Sequence, residues 1–448
     1  MNRKTAMASS RPSPLDGALR IAIEDHQQGR LTQAERRYRS ILAAVPRHPD
    51  ALHYLGVALH QQGRHDAALA LIAQALAVAP GYIDARNNLG NVQKELGLAI
   101  DAEHSYRAVL AARPQFAPAW NNLGVVLKQQ ERYADAAAAY RTCLDLTPGF
   151  ADCWINLGHA LRALGEPEGA MSAYRKAIKL APQSLNAYRH LGQALVSCAL
   201  YEQALDVYRA WQRQDPQDTA ISHMIAALEG DTSPERASDT YVQGTFDRFA
   251  SSFEDVLADL QYRAPSLCGE LVEALLGKGE GAMAVLDAGC GTGLCAPVLQ
   301  PYARVLDGVD LSPKMLELAA KRNSYRRLEA AELSAWLRAN PASYDLIVSA
   351  DTLCYFGALL EVVAHAAAAL QPGGHLVFTL EETQEANEAP SFKLHPHGRY
   401  SHTEAYAREV LAQAGMIVLD MRRATLRVEL GVPVAGLVIG ARSSALPG

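Results

Sequence analysis

Between Asp287 and Gly293 the chain reads Asp-Ala-Gly-Cys-Gly-Thr-Gly. Glycines at alternate positions, Gly289, Gly291 and Gly293, let a backbone turn tightly and bring its amides against a ligand. Asp310 stands 17 residues after Gly293. A carboxylate there can accept both hydroxyl protons of a ribose, so the pairing suits a nucleoside. A dinucleotide fingerprint would need glycine at the sixth position counted from Gly289, where Leu294 stands, and no Gly-Lys-Ser/Thr follows to make a P-loop. Asp287 would repel a pyrophosphate but suits a ligand that carries an ammonium group. Two further polar segments stand out. Asp351 directly follows the apolar run 344–350, and the segment His395-Pro396-His397-Gly398-Arg399-Tyr400-Ser401-His402 places three histidines in eight residues. That histidine spacing is not a standard ligand set, so no metal is expected. His397, Arg399, Tyr400 and His402 are candidates to position a substrate; a purely structural loop is the other reading. Cys290 and Cys295 flank the glycine turn, either as small filling residues or as a thiol pair.

These residues need a strand-turn-helix frame. Residues 284–286 form a short apolar strand run into the glycine turn, and a second strand, 304–309, ends at Asp310. The fourth strand is expected at 344–350, an alanine-rich helix at 358–370, and a Gln-Pro-Gly-Gly turn at 371–374 leading into a fifth strand at 375–380. A helix at 403–414 and alternating segments at 416–430 and 433–441 close the pattern as an antiparallel hairpin. The third strand, 327–330, is short and charged. Upstream, residues 241–260 carry Phe246, Phe249, Phe253, Val256, Leu257 and Leu260 at helical spacing. This helix is either core packing or a lid, with Tyr241, Phe246 and Tyr262 as lid candidates.

The glycine turn followed by Asp310 resembles motif I and the acidic ribose position of class I S-adenosylmethionine-dependent methyltransferases. The resemblance extends over residues 241–442 and implies an α/β Rossmann-like, seven-stranded domain that uses S-adenosyl-L-methionine. It implies Gly289, Gly291 and Gly293 as the cofactor loop with Asp287 beside it, Asp310 on the ribose, and Leu311 or Ser312 along the adenine. Glu332 falls where the family often has an acid near the adenine amine. Asp351 falls at the mouth where the methyl group is delivered. The chain lacks the [DNS]PP[YF] of amide and adenine amino methyltransferases, and no Pro-Cys stands there for attack on a cytosine ring. Oxygen, carboxylate and amine acceptors stay open.

The first half is built differently. Pro46, Pro80, Pro114, Pro148, Pro182 and Pro216 recur every 34 residues, and the pairs Leu55-Gly56, Leu89-Gly90, Leu123-Gly124, Leu157-Gly158 and Leu191-Gly192 keep the same interval. Ala68, Ala102, Ala136, Ala170 and Ala204 stay in step, as do Tyr106, Tyr140, Tyr174 and Tyr208. Such a period means stacked helical pairs. The pattern resembles the tetratricopeptide repeat, with six units over 15–218, the first of them degenerate. Asn88, Asn122 and Asn156 occupy one slot in successive units. Stacked amides can grip an extended peptide backbone, as in the superhelix of O-linked N-acetylglucosamine transferases, which this array resembles; Tyr54 and His190 break the ladder at its ends. Alternatively the amides only bond one repeat to the next.

The chain has 448 residues, 49% of them hydrophobic, which suits two or three folded domains rather than disorder. Basic residues outnumber acidic ones 24 to 21 through Gly230, and acidic ones lead 27 to 18 thereafter. Neither half has the basic excess a nucleic acid would call for. Seven cysteines without a CxxC pair argue against a disulfide framework and fit a reducing, cytoplasmic setting. No apolar run is long enough for a membrane span. The expected division is a mobile tail at 1–14, repeats at 15–218, a linker at 219–240 and the methyltransferase domain at 241–448. Function then divides between a methyltransferase whose array recruits a protein or peptide partner, a small-molecule methyltransferase whose array serves localisation or assembly, and a non-catalytic scaffold. The acceptor and the oligomeric state are not legible in the sequence.

Overall fold

The computed structural model describes residues 14–230, 234–383, 391–429 and 431–444. The expected tail (save for Pro14), the middle of the expected linker and Leu430 lie outside the described residues. The chain divides into two compact units, with the boundary between Cys198 and Ala199.

The first unit is a run of helices of 13 or 14 residues in antiparallel pairs, from Pro14–Gln27 and Leu31–Ala44 through to Pro167–Leu180 and Leu185–Ser197. The periodic residues explain the pairing. A Cβ on Gly124 would lie 2.5 Å from the Tyr140 ring, and one on Gly158 would lie 2.4 Å from Tyr174, so glycine admits the tyrosine of the second helix. Ala68, Ala102, Ala136 and Ala170 are fully buried where the helices of each pair cross. Each second helix ends two residues before its proline, for example at Ala112 before Pro114, because proline has no amide to continue the ladder.

The second unit begins with helices Tyr201–Gln214 and Thr219–Glu229. Thr219–Glu229, read from sequence as part of a linker, is a capped helix: Asp218 accepts from the Ala220 amide at 2.8 Å, and Ile221, His223, Ile225 and Ala227 are buried. Next come helix Asp239–Phe249, a short turn and helix Phe253–Asp259, so the single helix expected over 241–260 is broken. Helix Ala264–Leu276 leads into the sheet. Its strands are β1 (Met283–Ala288), β2 (Ala303–Asp310), β3 (Arg327–Ala330), β4 (Tyr344–Ser349), β5 (Leu370–Glu382), β6 (Phe392–Leu394), β7 (Tyr400–His402), β8 (Met416–Glu429) and β9 (Val432–Ser443).

The parallel order is β3-β2-β1-β4-β5, and β9 pairs antiparallel between β5 and β8. Those seven strands are the ones expected. Two more were not expected: β6 and β7 form a hairpin whose β7 adds to the end of β5 at Glu381–Ser401. The sheet therefore has nine strands, because the histidine-rich segment folds into this hairpin. The Gln-Pro-Gly-Gly stretch lies inside β5 as an irregularity in its pairing with β4. Helices Leu333–Ala339, Leu360–Ala369 and Glu404–Gln413 cover one face, and helices Ala264–Leu276 and Ala296–Leu299 the other. Both faces being covered explains why the central strands read as continuous apolar runs. All seven cysteines are free. Among the described residues no helix is long and apolar enough to cross a membrane.

Candidate active site

The carboxyl ends of β1, β2 and β4 meet at a cavity of about 200 Å³ that opens to solvent. In an open parallel sheet this is where ligands bind, at the point where strand order reverses. β1 delivers the glycine turn. Gly289 sits at φ +77° and Gly291 at φ +52°, and the Gly289 and Cys290 amides both donate to the Val309 carbonyl. A Cβ on Gly289 would collide with Thr352, 2.1 Å away, whereas one on Gly291 would meet only Phe253 at 3.9 Å and would project into open space. The Thr292 hydroxyl, on a residue 1% exposed, has no hydrogen-bond partner among the described residues. Gly293 lies behind the turn against Arg322 and Tyr325 and does not line the cavity.

Asp310 ends β2 and lines the cavity. One carboxylate oxygen accepts from the Gly291 amide at 2.9 Å and the other from the Ser312 amide at 2.8 Å. Asp310 therefore fixes the glycine turn and still presents unused lone pairs to the cavity. Burial pushes its carboxyl above the ordinary range, and the amides of Ser312 and Gly291 oppose that shift. Leu311 lines the cavity, while Ser312 is buried and caps the next helix. Glu332 lines the cavity but is already engaged. It caps helix Leu333–Ala339 through the Ser334 and Ala335 amides and pairs with Arg236 at 2.8 Å.

Asp287 lies outside the cavity. It is buried and accepts from the Tyr325 hydroxyl at 2.7 Å, and burial pushes its carboxyl up to about 7. The strand alternation that turns Leu286 and Ala288 to one face turns Asp287 to the other, against Tyr325.

Asp351 follows β4 in the left-handed region, φ +55°, with its amide bonded to the Thr379 hydroxyl at 2.8 Å. Its carboxylate receives both contacts of an Nη1 fork from Arg427, at 2.7 and 3.0 Å. Arg427, its side chain 3% exposed, also pairs with Glu381 and, at 2.6 Å, with Glu429. Arg399 joins the same two glutamates at 2.7 and 2.5 Å. Three carboxylates thus share two guanidiniums at the floor of the cavity, which Asp351, Arg399, Arg427 and Glu429 line. Asp351, Cys354 and Glu381 lie close enough for a metal site, but Arg427 already holds both carboxylates.

The remaining candidates from the histidine-rich segment do not reach the cavity. Tyr400 is fully buried and donates to the Pro234 carbonyl at 2.7 Å; His402 is fully buried with Nε2 3.1 Å from the Gly357 carbonyl; His397 stacks on His395 in the hairpin turn. They hold the hairpin in place, and Arg399 is the member of the segment that faces inward. On the opposite wall Phe246, Phe249, Phe253 and Tyr262 line the cavity with Tyr355, as a lid would, whereas Tyr241 packs on His223 instead. Asp247 ties this wall to β2 by accepting from the Ser312 hydroxyl at 2.6 Å. Sequence reasoning did not find Arg236, Glu381, Arg427 or Glu429. Arg236 and Glu381 come from separate segments, and Arg427 and Glu429, two residues apart on β8, are only two of the five charged residues of that strand, so no local spacing singles them out.

In the first unit, the asparagine slots face neighbouring repeats. Asn88 Nδ2 lies 2.8 Å from His53 Nε2, Asn122 donates to Asn91 at 3.0 Å, and Asn156 donates to Asn121 at 3.1 Å.

Comparison with known proteins agrees with both halves. A family profile described as a methyltransferase domain matches residues 260–416, and tetratricopeptide repeat profiles match 19–83, 87–149 and 151–184. Human methyltransferase-like protein 27 is 33% identical over 183 residues, 38% of this chain and 72% of that one. The malonyl-[acyl-carrier protein] O-methyltransferase of a Paenibacillus species is 28% identical over 217 residues, 43% of this chain and 77% of that one. The ubiquinone biosynthesis O-methyltransferase of Thiobacillus denitrificans is 30% identical over 102 residues, 21% of this chain and 43% of that one. With its glycine turn, Asp310 and class I sheet, the chain belongs to the methyltransferases and carries an array of tetratricopeptide repeats ahead of the methyltransferase domain.

Proposed function

We propose that the second unit transfers a methyl group from S-adenosyl-L-methionine to an acceptor beside Asp351, and that the repeat array recruits a protein or peptide partner. The observation that carries the methyl-transfer reading is Asp310, which braces the Gly291 amide while facing the cavity. Two features support the fit of this cofactor: the unpartnered buried hydroxyl of Thr292 and the open space over Gly291. When bound, the cofactor supplies an already activated sulfonium methyl. The chain's residues then bind, orient and exclude water. Asp310 has lone pairs for ribose hydroxyls, Leu311 flanks the base, and Glu332, held by the helix it caps, borders the amine end of that base. The phenylalanines of the lid wall keep water from the reacting atoms, and aromatic faces suit a neighbouring cation. Asp351, clamped by Arg427, is a fixed anion in the cavity floor and orients an acceptor rather than freely shuttling a proton. The names of two relatives support an oxygen acceptor.

One observation favours a second reading, a small-molecule acceptor with the array used for localisation or assembly. The amides of Asn88, Asn122 and Asn156 are already engaged between repeats, so a peptide would have to compete for them. The test is calorimetric titration of S-adenosylhomocysteine into the full-length chain, followed by transfer of labelled methyl from S-adenosylmethionine to cell protein and to the small-molecule pool. Saturable binding is expected. Absence of binding refutes the enzyme reading, and label confined to small molecules refutes recruitment of a protein acceptor.

A further inference from the structure

Helix Thr219–Glu229 and the β6–β7 hairpin are far apart in sequence yet packed together. Ala227 forms one apolar cluster with Leu394 and Tyr400. His223, 3% exposed, has its Nε2 2.9 Å from the Gly398 carbonyl, and its ring packs on Tyr241, centroids 4.5 Å apart. A carbonyl can only accept, so Nε2 is the donor, and Nδ1 has no partner among the described residues. Gly398 sits at φ +87°, and a Cβ there would lie 2.2 Å from the Tyr241 hydroxyl and 3.4 Å from the Met224 sulfur. The turn is thus gripped from three sides at the residue before Arg399.

Arg399 is the point where this grip reaches the cavity. Its guanidinium holds Glu381 and Glu429, the same carboxylates that hold Arg427, and Arg427 clamps Asp351. We propose that His223 is a positioning residue: through the Gly398 carbonyl it sets Arg399, and through the shared glutamates it sets Asp351 in the cavity floor. The helix ahead of the sheet domain is then a working part of the site. The proposed role in methyl transfer rests on the reading above, but the mechanical link does not.

The test uses the full-length chain with arginine selectively labelled in ¹⁵N and the Arg399 Nε–H signal assigned by loss in Arg399→Lys. In the native protein this signal should exchange slowly with water. His223→Leu, which fills the space without a donor, should shift it and speed its exchange about tenfold or more, as for a locally opened ion pair. The Arg326 Nε–H, paired with Asp307 elsewhere in the sheet, should not change. His223→Gln, which restores a donor near the Nε2 position, should recover the native signal. An unchanged Arg399 signal in His223→Leu, or equal loosening of Arg326, overturns the proposal. If His223→Leu does not fold, the histidine ¹⁵N spectrum of the native protein decides: an Nε2–H tautomer in slow exchange upholds the link, and an Nδ1–H tautomer refutes it. S-adenosylhomocysteine titration reports separately on the methyltransferase reading, because failure to bind would leave the Arg399 response intact.

Discussion

Asp310→Asn separates the two jobs this carboxylate holds. One is structural: it accepts from the Gly291 amide at 2.9 Å and the Ser312 amide at 2.8 Å. Asparagine keeps one carbonyl oxygen, so one of those amides then faces an NH₂ group and loses its acceptor. A buried donor left unmet costs about 1–3 kcal/mol, and the relief of desolvation on removing the charge offsets part of it. The unfolding free energy of the ligand-free protein should therefore fall by roughly 1–2 kcal/mol. The other job is proposed, the acceptance of ribose hydroxyls. Hydrogen bonds to a charged acceptor are worth about 1.5–3 kcal/mol, so S-adenosylhomocysteine should bind at least about tenfold more weakly. Urea unfolding without ligand measures the first quantity and calorimetric titration the second. Asp310→Ala would confound them, since both amides would lose their partner. Unchanged affinity in a folded Asp310→Asn protein would refute the ribose contact. Unchanged stability would refute the bracing of the glycine turn.

Three further outcomes are expected. Burial pushes the Asp287 carboxyl up to about 7, opposed by the Tyr325 hydrogen bond and aided by the charge of Asp310. Because the folded value exceeds the unfolded one, the associated stability is fully present below about pH 4 and is lost as pH rises through about 7. Asp287→Asn should remove this loss, so its stability relative to the native chain should climb by about 1.4 kcal/mol per pH unit between pH 5 and 7, measured by urea titration at each pH. A flat difference would mean that Asp287 is ionised throughout. Arg427→Met leaves Asp351 without its guanidinium partner and Glu381 and Glu429 with Arg399 alone, and should cost about 3–5 kcal/mol in urea unfolding; a loss under about 1 kcal/mol would show that the network is not buried as described. A fragment from Ala199 to the C-terminus should unfold cooperatively, whereas one from Tyr241 exposes Leu394 and Tyr400 and loses several buried side chains at roughly 1.5–3 kcal/mol each. Equal thermal stability of the two fragments would refute the role given to helix Thr219–Glu229.

Periodic and local features were legible because they act through neighbours in sequence. The interval between prolines and the Leu-Gly pairs dictate stacked helical pairs, since only glycine admits the tyrosine of the next helix. The glycine turn and Asp310 were legible for the same reason: a short strand, a tight turn and the next strand suffice to bring them together. Strand alternation could have warned against Asp287, whose neighbours Leu286 and Ala288 face the other way. The histidine-rich segment misled because composition alone cannot say which way a hairpin turns its side chains. Tyr400 and His402 proved to be internal ties, and Arg399 proved to be the inward group.

The sequence by itself determined the repeat array, the succession of strands and helices in the second half and the glycine turn, because each follows from backbone geometry and residue spacing over a few dozen residues. Tertiary structure alone decided the floor of the cavity. Asp351, Glu381, Arg399, Arg427 and Glu429 come from three strand ends and a hairpin, and burial forces their charges to find one another. It also decided that a helix more than 170 residues upstream grips Gly398. Such pairings are set by which surfaces the core brings into contact, and no local pattern in the chain records them.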